Sequence, residues 1–451
     1  MKAATRRARK LQAKRQTIAG KSTLGIDPGK EKHTSAVLDA QGIQQGTCFS
    51  FPVSHHGYRD VVWKKLGQRL DAYGPEELVV AVETSCNLWK TVAHFFSKQG
   101  FTVVLISPLT THHARPMLDH DFSKTDAKDA FLIADVAHKG LYDLYVLLPP
   151  AEEALHDLSI AYDKVWKDRA KAKQRLRAFM ETWFPEYLSA FGIDTKTSLC
   201  LLEHYFLPEH FRQLDVETEA PIVEKVSYKK HGADTLHKLK EWAQTSIGVQ
   251  AQPDQEAALR VILDGWIADL KQAQQQLAHL EKAMIARASQ FPAFRIVKSI
   301  PNISDNLAGQ FIAECRDPGR FNHFKQIEKL AGLNLRLSDS GQYTGARHIS
   351  HIGNNRLRRI VYQMTQQTAK AVPQVRLRYL KRQLKRKCYR KNIIAASSQL
   401  LRLIQALVKE NRPYQHRTDW DDQLHLLEVA YAGKKASRKT RKPAWQKTQA
   451  A

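Results

Sequence analysis

From Ser22 onward the apolar residues fall into short runs broken by turn residues, a pattern that predicts strands. STLGID leads into the turn PGK, and HTSAVLD, the turn AQG and GTCFSFPV follow as two more strands in hairpin order. Tyr58, Val61, Val62, Leu66 and Leu70 then recur at helical spacing. ELVVAVE reads as a buried strand, LWKTVAHFFSKQG as a helix closed by Gly100, and FTVVLIS as another strand. A helix with two acids in its first turn, DAKDAFLIADVAHKG, completes the order β-β-β-α-β-α-β-α.

Strand character is then lost. Leu155, Leu158, Tyr162, Val165 and Trp166 form one stripe of a long helix stopped by Pro185. A second long helix, from about Asp254 to Ser289, carries Leu259, Ile262, Trp266, Leu270, Leu277 and Leu280. Such a pair fits an antiparallel coiled-coil arm or dimer strut, and equally fits plain core packing. Residues 294–333 read as three helices separated by tight turns, followed by the polar, glycine-punctuated SDSGQYTGARHISHIG. NNRLRRIVYQMTQQTAKAV and VRLRYLKRQLKRKCYRKN read as two helices, the second densely basic.

Three strands in hairpin order followed by alternating units match a ribonuclease-H-like mixed sheet better than a doubly wound one, which begins with a crossover helix. The expected organisation is a basic disordered arm (1–22), this α/β domain (23–148), a helical or coiled-coil region (149–290), an all-α domain (291–375), and a basic helix with a basic, disordered tail (376–451).

Charge sharpens the picture. The chain has 70 Lys and Arg against 45 Asp and Glu, a net charge of +25, and residues 1–22 hold no acid. Clustered positive charge points to a polyanionic partner. Five scattered cysteines form no zinc spacing and fit a reducing compartment. No apolar run is long enough to span a bilayer, so a cytoplasmic, nucleoid-associated protein is expected.

Four carboxylates stand out against this charge. Asp27 follows the first strand, Glu83 closes the fourth, and Asp126 and Asp129 open the last helix. In the expected sheet the first and fourth strands are neighbours, and the last helix crosses near their ends, so the four would converge. Two carboxylates 4 Å apart repel by about 4 kcal/mol at an effective dielectric of about 20. Divalent ions, Mg2+ or Mn2+, would remove that cost and serve phosphodiester chemistry. Each acid also has a plainer reading: Asp27 as a turn residue before Pro-Gly, Asp126 as a helix cap, Asp129 as a partner of the helix dipole. Ser340, in D-S-G, is most simply a turn residue. With Arg336, Arg347, Arg356, Arg358 and Arg359 near it in sequence, it is also a candidate nucleophile. Lys385, Arg386 and Lys387 on the basic helix are candidate nucleic-acid contacts.

GIDPGKEKHTSAVLD, AVETS, SKTDAKDA and AGLNLRLSDSG…ISHIGNNRLRR resemble, in order, the landmarks of the DEDD transposases of the insertion-sequence "one-ten" family. The resemblance spans residues 22–375. It implies a RuvC-like N-terminal domain whose Asp27, Glu83, Asp126 and Asp129 bind Mg2+, and a transposase domain whose Ser340 links covalently to a DNA 5′ phosphate. It further implies donor and target DNA, a structured bridge RNA as guide, and a dimer to tetramer on DNA. His351 stands where the family carries a basic residue, which puts a phosphate contact in doubt. A junction resolvase using only the carboxylates, a non-catalytic nucleic-acid-binding protein and an actin-like ATPase remain as alternatives. The last calls for a second glycine-rich phosphate loop, and the sequence shows none at a strand end.

Overall fold

The computed structural model describes residues 2–439 apart from 122, 337, 338, 341, 342, 346 and 387. The chain divides at Pro149 into two compact units.

The first unit begins with α1 (Lys2–Ile18), then β1 (Ser22–Asp27), β2 (Lys32–Leu38) and β3 (Phe49–Pro52). A π turn runs into α2 (Val62–Gly67), followed by β4 (Leu78–Glu83), α3 (Trp89–Lys98) and β5 (Thr102–Ile106). Two short helices, α4 (Pro108–Ala114) and α5 (Pro116–Asp119), precede α6 (Asp126–His138) and the brief β6 (Asp143–Leu144). The sheet order is β3-β2-β1-β4-β5-β6. β1, β2 and β3 pair antiparallel, and β1, β4 and β5 pair parallel. β4 is buried along its whole length, which explains its unbroken apolar run: a central parallel strand is covered on both faces.

The expected disordered arm is instead helical. Ile18, at the end of α1, is buried with Val79, Val104 and Ile133. The Tyr142 hydroxyl donates to Lys14 O at 2.7 Å, and Arg15 Nε donates to Lys139 O at 3.1 Å. Charge density in the sequence masked this docking, because the apolar anchor, Ile18, comes at the very end of the basic run.

The second unit opens with α7 (Pro150–Trp183). Five shorter helices between residues 187 and 244, α8 to α12, pack Tyr187, Phe206 and Phe211 into a core shared with Leu176 and Phe179 of α7 and with Leu263 and Leu270 of the long helix that follows. The next helix, α13 (Pro253–Ala288), returns antiparallel to α7. Phe179 meets Trp266 edge-on, Arg175 pairs with Asp269, and Leu155 shares a core with Met284. Next come α14 (Pro292–Lys298), α15 (Asp305–Cys315) and α16 (Phe324–Leu330).

Residues 335–349, expected in an all-α domain, form two small ribbons. β7 (Leu335–Arg336) pairs with β10 (His348–Ile349), and β8 (Asp339–Ser340) with β9 (Tyr343–Thr344). Polar, glycine-rich sequence has no apolar stripe with which to seat a helix. The remaining helices are α17 (Asn355–Thr368), α18 (Pro373–Lys385), α19 (Tyr389–Lys409) and α20 (Asp421–Lys439). The single basic helix expected over 376–391 is therefore two. Asn392, 1 % exposed, donates to Arg386 O at 2.8 Å and holds the break. One core takes in Leu155, Met284, Phe311, Val361, Leu380 and Leu400, so residues on both sides of positions 290 and 375 share it.

Candidate active site

The carboxylates of the first unit lie where the two central strands of its sheet end and α6 begins. Ile26 of β1 lies opposite Val82 of the parallel β4, so the next residues, Asp27 and Glu83, end their strands side by side. The α6 helix lies directly on β1: a Cβ built at Gly25 would stand 2.3 Å from Ala130 O and 2.6 Å from Ala134 N. That contact is open only to glycine. It brings the first turn of α6, with Asp126 and Asp129, to the end of β1. Thr125 caps α6, its hydroxyl accepting from Lys128 N at 3.2 Å. The Asp126 cap considered from sequence is thus displaced by one residue, leaving Asp126 in the first turn and exposed.

The electrostatics bear the mark of crowded acids. Glu83 is 6 % exposed and Asp129 is 1 % exposed. Burial, then the nearby charges of Asp129, Glu83 and Asp126, push the Asp27 carboxyl up to about 6, against a lowering by Lys124. Burial also raises Glu83, opposed by its hydrogen bond with Thr111 and raised again by Asp129. Desolvated like charges favour the protonated form until a cation compensates them.

Three residues of this site were not foreseen. Arg115, at the end of α4, forks onto Asp129: Nε to Oδ1 is 2.7 Å and Nη2 to Oδ2 is 2.9 Å. Lys124 Nζ lies 3.9 Å from Oδ2. Thr111 Oγ1 lies 3.0 Å from both Glu83 Oε2 and Pro108 O, and with one proton it serves one of them at a time. The sequence offered a single hint, that buried acids need a counter-ion. It did not say which of the many cations would supply it. Hard carboxylate oxygens suit Mg2+ or Mn2+. In the geometry described, however, no three His, Cys, Asp or Glu side chains stand together at coordinating positions among the described residues. Arg115 and Lys124 supply the positive charge there.

In the second unit the backbone of Ser340 pairs with Tyr343. The ribbon that carries this loop is pinned at its base. His351 N donates to Gly332 O at 3.1 Å, and Asn354 N donates to Leu330 O at 2.7 Å. Arg358 Nη1 donates to Ala331 O and His351 O, both at 3.1 Å. Gly353 has φ of 145°, and a Cβ there would stand 2.5 Å from Leu330 O. His351 itself takes φ of 57°.

The candidate nucleic-acid contacts divide. Arg356 is engaged internally: its Nε donates to Glu314 Oε1 at 2.7 Å, while Ser159 Oγ donates to the same oxygen at 2.8 Å. Arg359 pairs with Asp163 at 3.0 Å and stacks over Trp166. Burial would raise the Glu314 carboxyl, but bonds from Arg356 and Asn354 hold it below the usual range. These two arginines and Arg358 tie α17 to its neighbours. In sequence they stand as nucleic-acid contacts because their partners within the fold are invisible there. Arg336, Arg347, Lys385 and Arg386 are exposed, and Lys387 lies outside the described residues.

Two family models match this chain, each over a different part. A transposase model of the DEDD, IS110 type covers residues 24–185, and the model described as "Transposase IS116/IS110/IS902 family" covers residues 294–380. A protein of Streptomyces coelicolor, described as an uncharacterized 43.6 kDa protein of insertion element IS110, is 22 % identical over 304 residues, covering 65 % of this chain and 73 % of its own. The first match takes in all four carboxylates and the second takes in Ser340 and the arginines after it. The chain thus belongs to the IS110 family of transposases, enzymes that act on DNA.

Proposed function

We propose that this chain is the recombinase of a bacterial insertion sequence, a cytoplasmic, nucleoid-associated enzyme that cuts and rejoins donor and target DNA. The convergence of Asp27, Glu83, Asp126 and Asp129, with Asp27 pushed up to about 6 by burial and by the other three, carries the reading. The strand order β3-β2-β1-β4-β5 supports a ribonuclease-H-like, RuvC-like domain. The four carboxylates are the residues that would hold Mg2+ or Mn2+. Bound there, such an ion stabilises charge on phosphodiester oxygens.

Ser340 is the proposed nucleophile. Its oxygen bonds to phosphorus as the bond from phosphorus to the 3′ oxygen breaks. The hydroxyl proton passes to solvent, and the departing 3′ oxygen takes one up. A 3′ hydroxyl of the partner strand then attacks the phosphoserine, restoring Ser340 and joining the strands. The pinned ribbon base supports a positioned serine, since a loop anchored by Arg358 loses less freedom on binding. The net charge of +25 supports a long polyanionic partner, here a structured bridge RNA together with DNA. Assembly as a dimer to tetramer would supply enough sites for paired strand cuts.

The test uses purified protein, Mg2+, the element's end DNA and RNA transcribed from its flank. Wild type should give a denaturant-resistant protein–DNA adduct and recombinant product. Ser340→Ala and Asp27→Asn should each lose product by at least about a thousandfold. Full recombination by Ser340→Ala would remove the serine mechanism. Cleavage without an adduct in that variant would favour a resolvase that uses the carboxylates alone.

A further inference from the structure

The guanidinium of Arg115 engages both oxygens of Asp129 at once, at 2.7 and 2.9 Å. The pair is shielded from water, with side-chain exposures of 12 % and 2 %. Forked charge-assisted pairs are among the stronger contacts in proteins, and burial removes their screening. Lys124 touches the same carboxylate differently. It is a single point charge at 3.9 Å on a side chain 66 % exposed. Arg115 sits at the junction of two short helices, with Pro116 opening the second, so its side chain reaches Asp129 from outside the sheet and α6.

A divalent ion entering this cluster meets a carboxylate each of whose oxygens already accepts from Arg115, beside a fixed positive charge. We propose that Arg115 is a positioning residue that holds Asp129 while the cluster is free of metal and must release at least one Asp129 oxygen when a divalent cation binds. The inference rests on the metal reading above. It makes cation affinity depend on the fork, beyond the number of charges nearby. It also sets a guanidinium free at the site only when the ion is in place, where phosphate oxygens are the natural new partner.

The experiment measures Mn2+ binding to the full DNA-free chain by calorimetry and by electron paramagnetic resonance. Wild type is compared with Arg115→Lys, Arg115→Gln, Lys124→Gln and Asp27→Asn at one pH and salt. Arg115→Lys keeps the charge but cannot fork, so it should bind Mn2+ about tenfold tighter. It also guards against misfolding in Arg115→Gln, which leaves Asp129 without its close partner. Arg115→Gln should gain at least as much, Lys124→Gln no more than about threefold, and Asp27→Asn should lose binding. Loss in Asp27→Asn with no gain in either Arg115 variant overturns the role of Arg115 and leaves the metal reading standing. Equal gains in Lys124→Gln and Arg115→Gln, with none in Arg115→Lys, reduce the effect to charge and also overturn it. No Mn2+ binding by wild type or any variant overturns both.

Discussion

The first strand leaves no room for a side chain at residue 25. A methyl group there would stand 2.3 Å from Ala130 O, 2.6 Å from Ala134 N and 2.8 Å from Ala134 Cβ. Two of the three atoms are backbone, so no rotamer change relieves the clash. To reach ordinary packing distance at about 3.5 Å, α6 must retreat by about 1 Å. Overpacking of this kind costs about 1–3 kcal/mol. The first unit's melting transition should then fall by about 4–8 °C for a loss of about 2 kcal/mol. The chemical consequence is larger than the stability loss. The retreat carries Asp126 and Asp129 away from Asp27 and Glu83, and a misplacement of about 1 Å can cost about a hundredfold in rate. The assay pairs thermal unfolding with strand cleavage on Gly25→Ala, using Gly265→Ala as a control, since a Cβ at Gly265 meets nothing within 4 Å. A Gly25→Ala protein with wild-type melting and cleavage would show that α6 does not set the acid geometry.

Further predictions follow the same logic. Glu314→Ala removes a buried anion that accepts from Arg356, Asn354 and Ser159; it should cost about 3 kcal/mol in urea unfolding of the second unit. Since Glu314 is held below its ordinary value, its contribution is present above the unfolded carboxylate pKa and is lost as pH falls through the lower folded value. His33 is fully buried, 2.6 Å from the Tyr58 hydroxyl, and burial drops it from 6.5 to about 4. The unfolded chain therefore takes up the proton first, and stability should decline by about 3 kcal/mol between pH 6.5 and 4. Urea midpoints across that range, compared with those of His33→Gln, isolate the effect. Neutralising Lys385 and Arg386 should make the salt dependence of DNA binding shallower, by about 0.9 for each phosphate that is no longer neutralised. Arg356→Gln should leave that slope unchanged, because its guanidinium is spent on Glu314.

Periodicity carried β1 to β5 and the helices α2, α3 and α6 of the first unit, because a pleated strand and an amphipathic helix stamp their period on the residues they bury; it did not carry α1, α4, α5 or β6. The long helices α7 and α13 were legible for the same reason, as was the placement of Asp27 and Glu83 at strand ends and of Asp126 and Asp129 in the first turn of a helix. Contacts between elements were not legible. The sequence contained Arg115, Arg356, Arg358 and Arg359 without telling a free surface cation from one bonded inside the fold, since a guanidinium's role depends on which carbonyl or carboxylate the fold sets beside it. Nor could it show that α1 docks through Ile18 and Tyr142, or that Asn392 breaks the basic helix at Arg386. Local pattern is set by neighbours within a turn or a pleat. The closing of α6 onto Gly25, and of Arg115 onto Asp129, is set by residues far apart in the chain that only tertiary packing brings within a few ångströms.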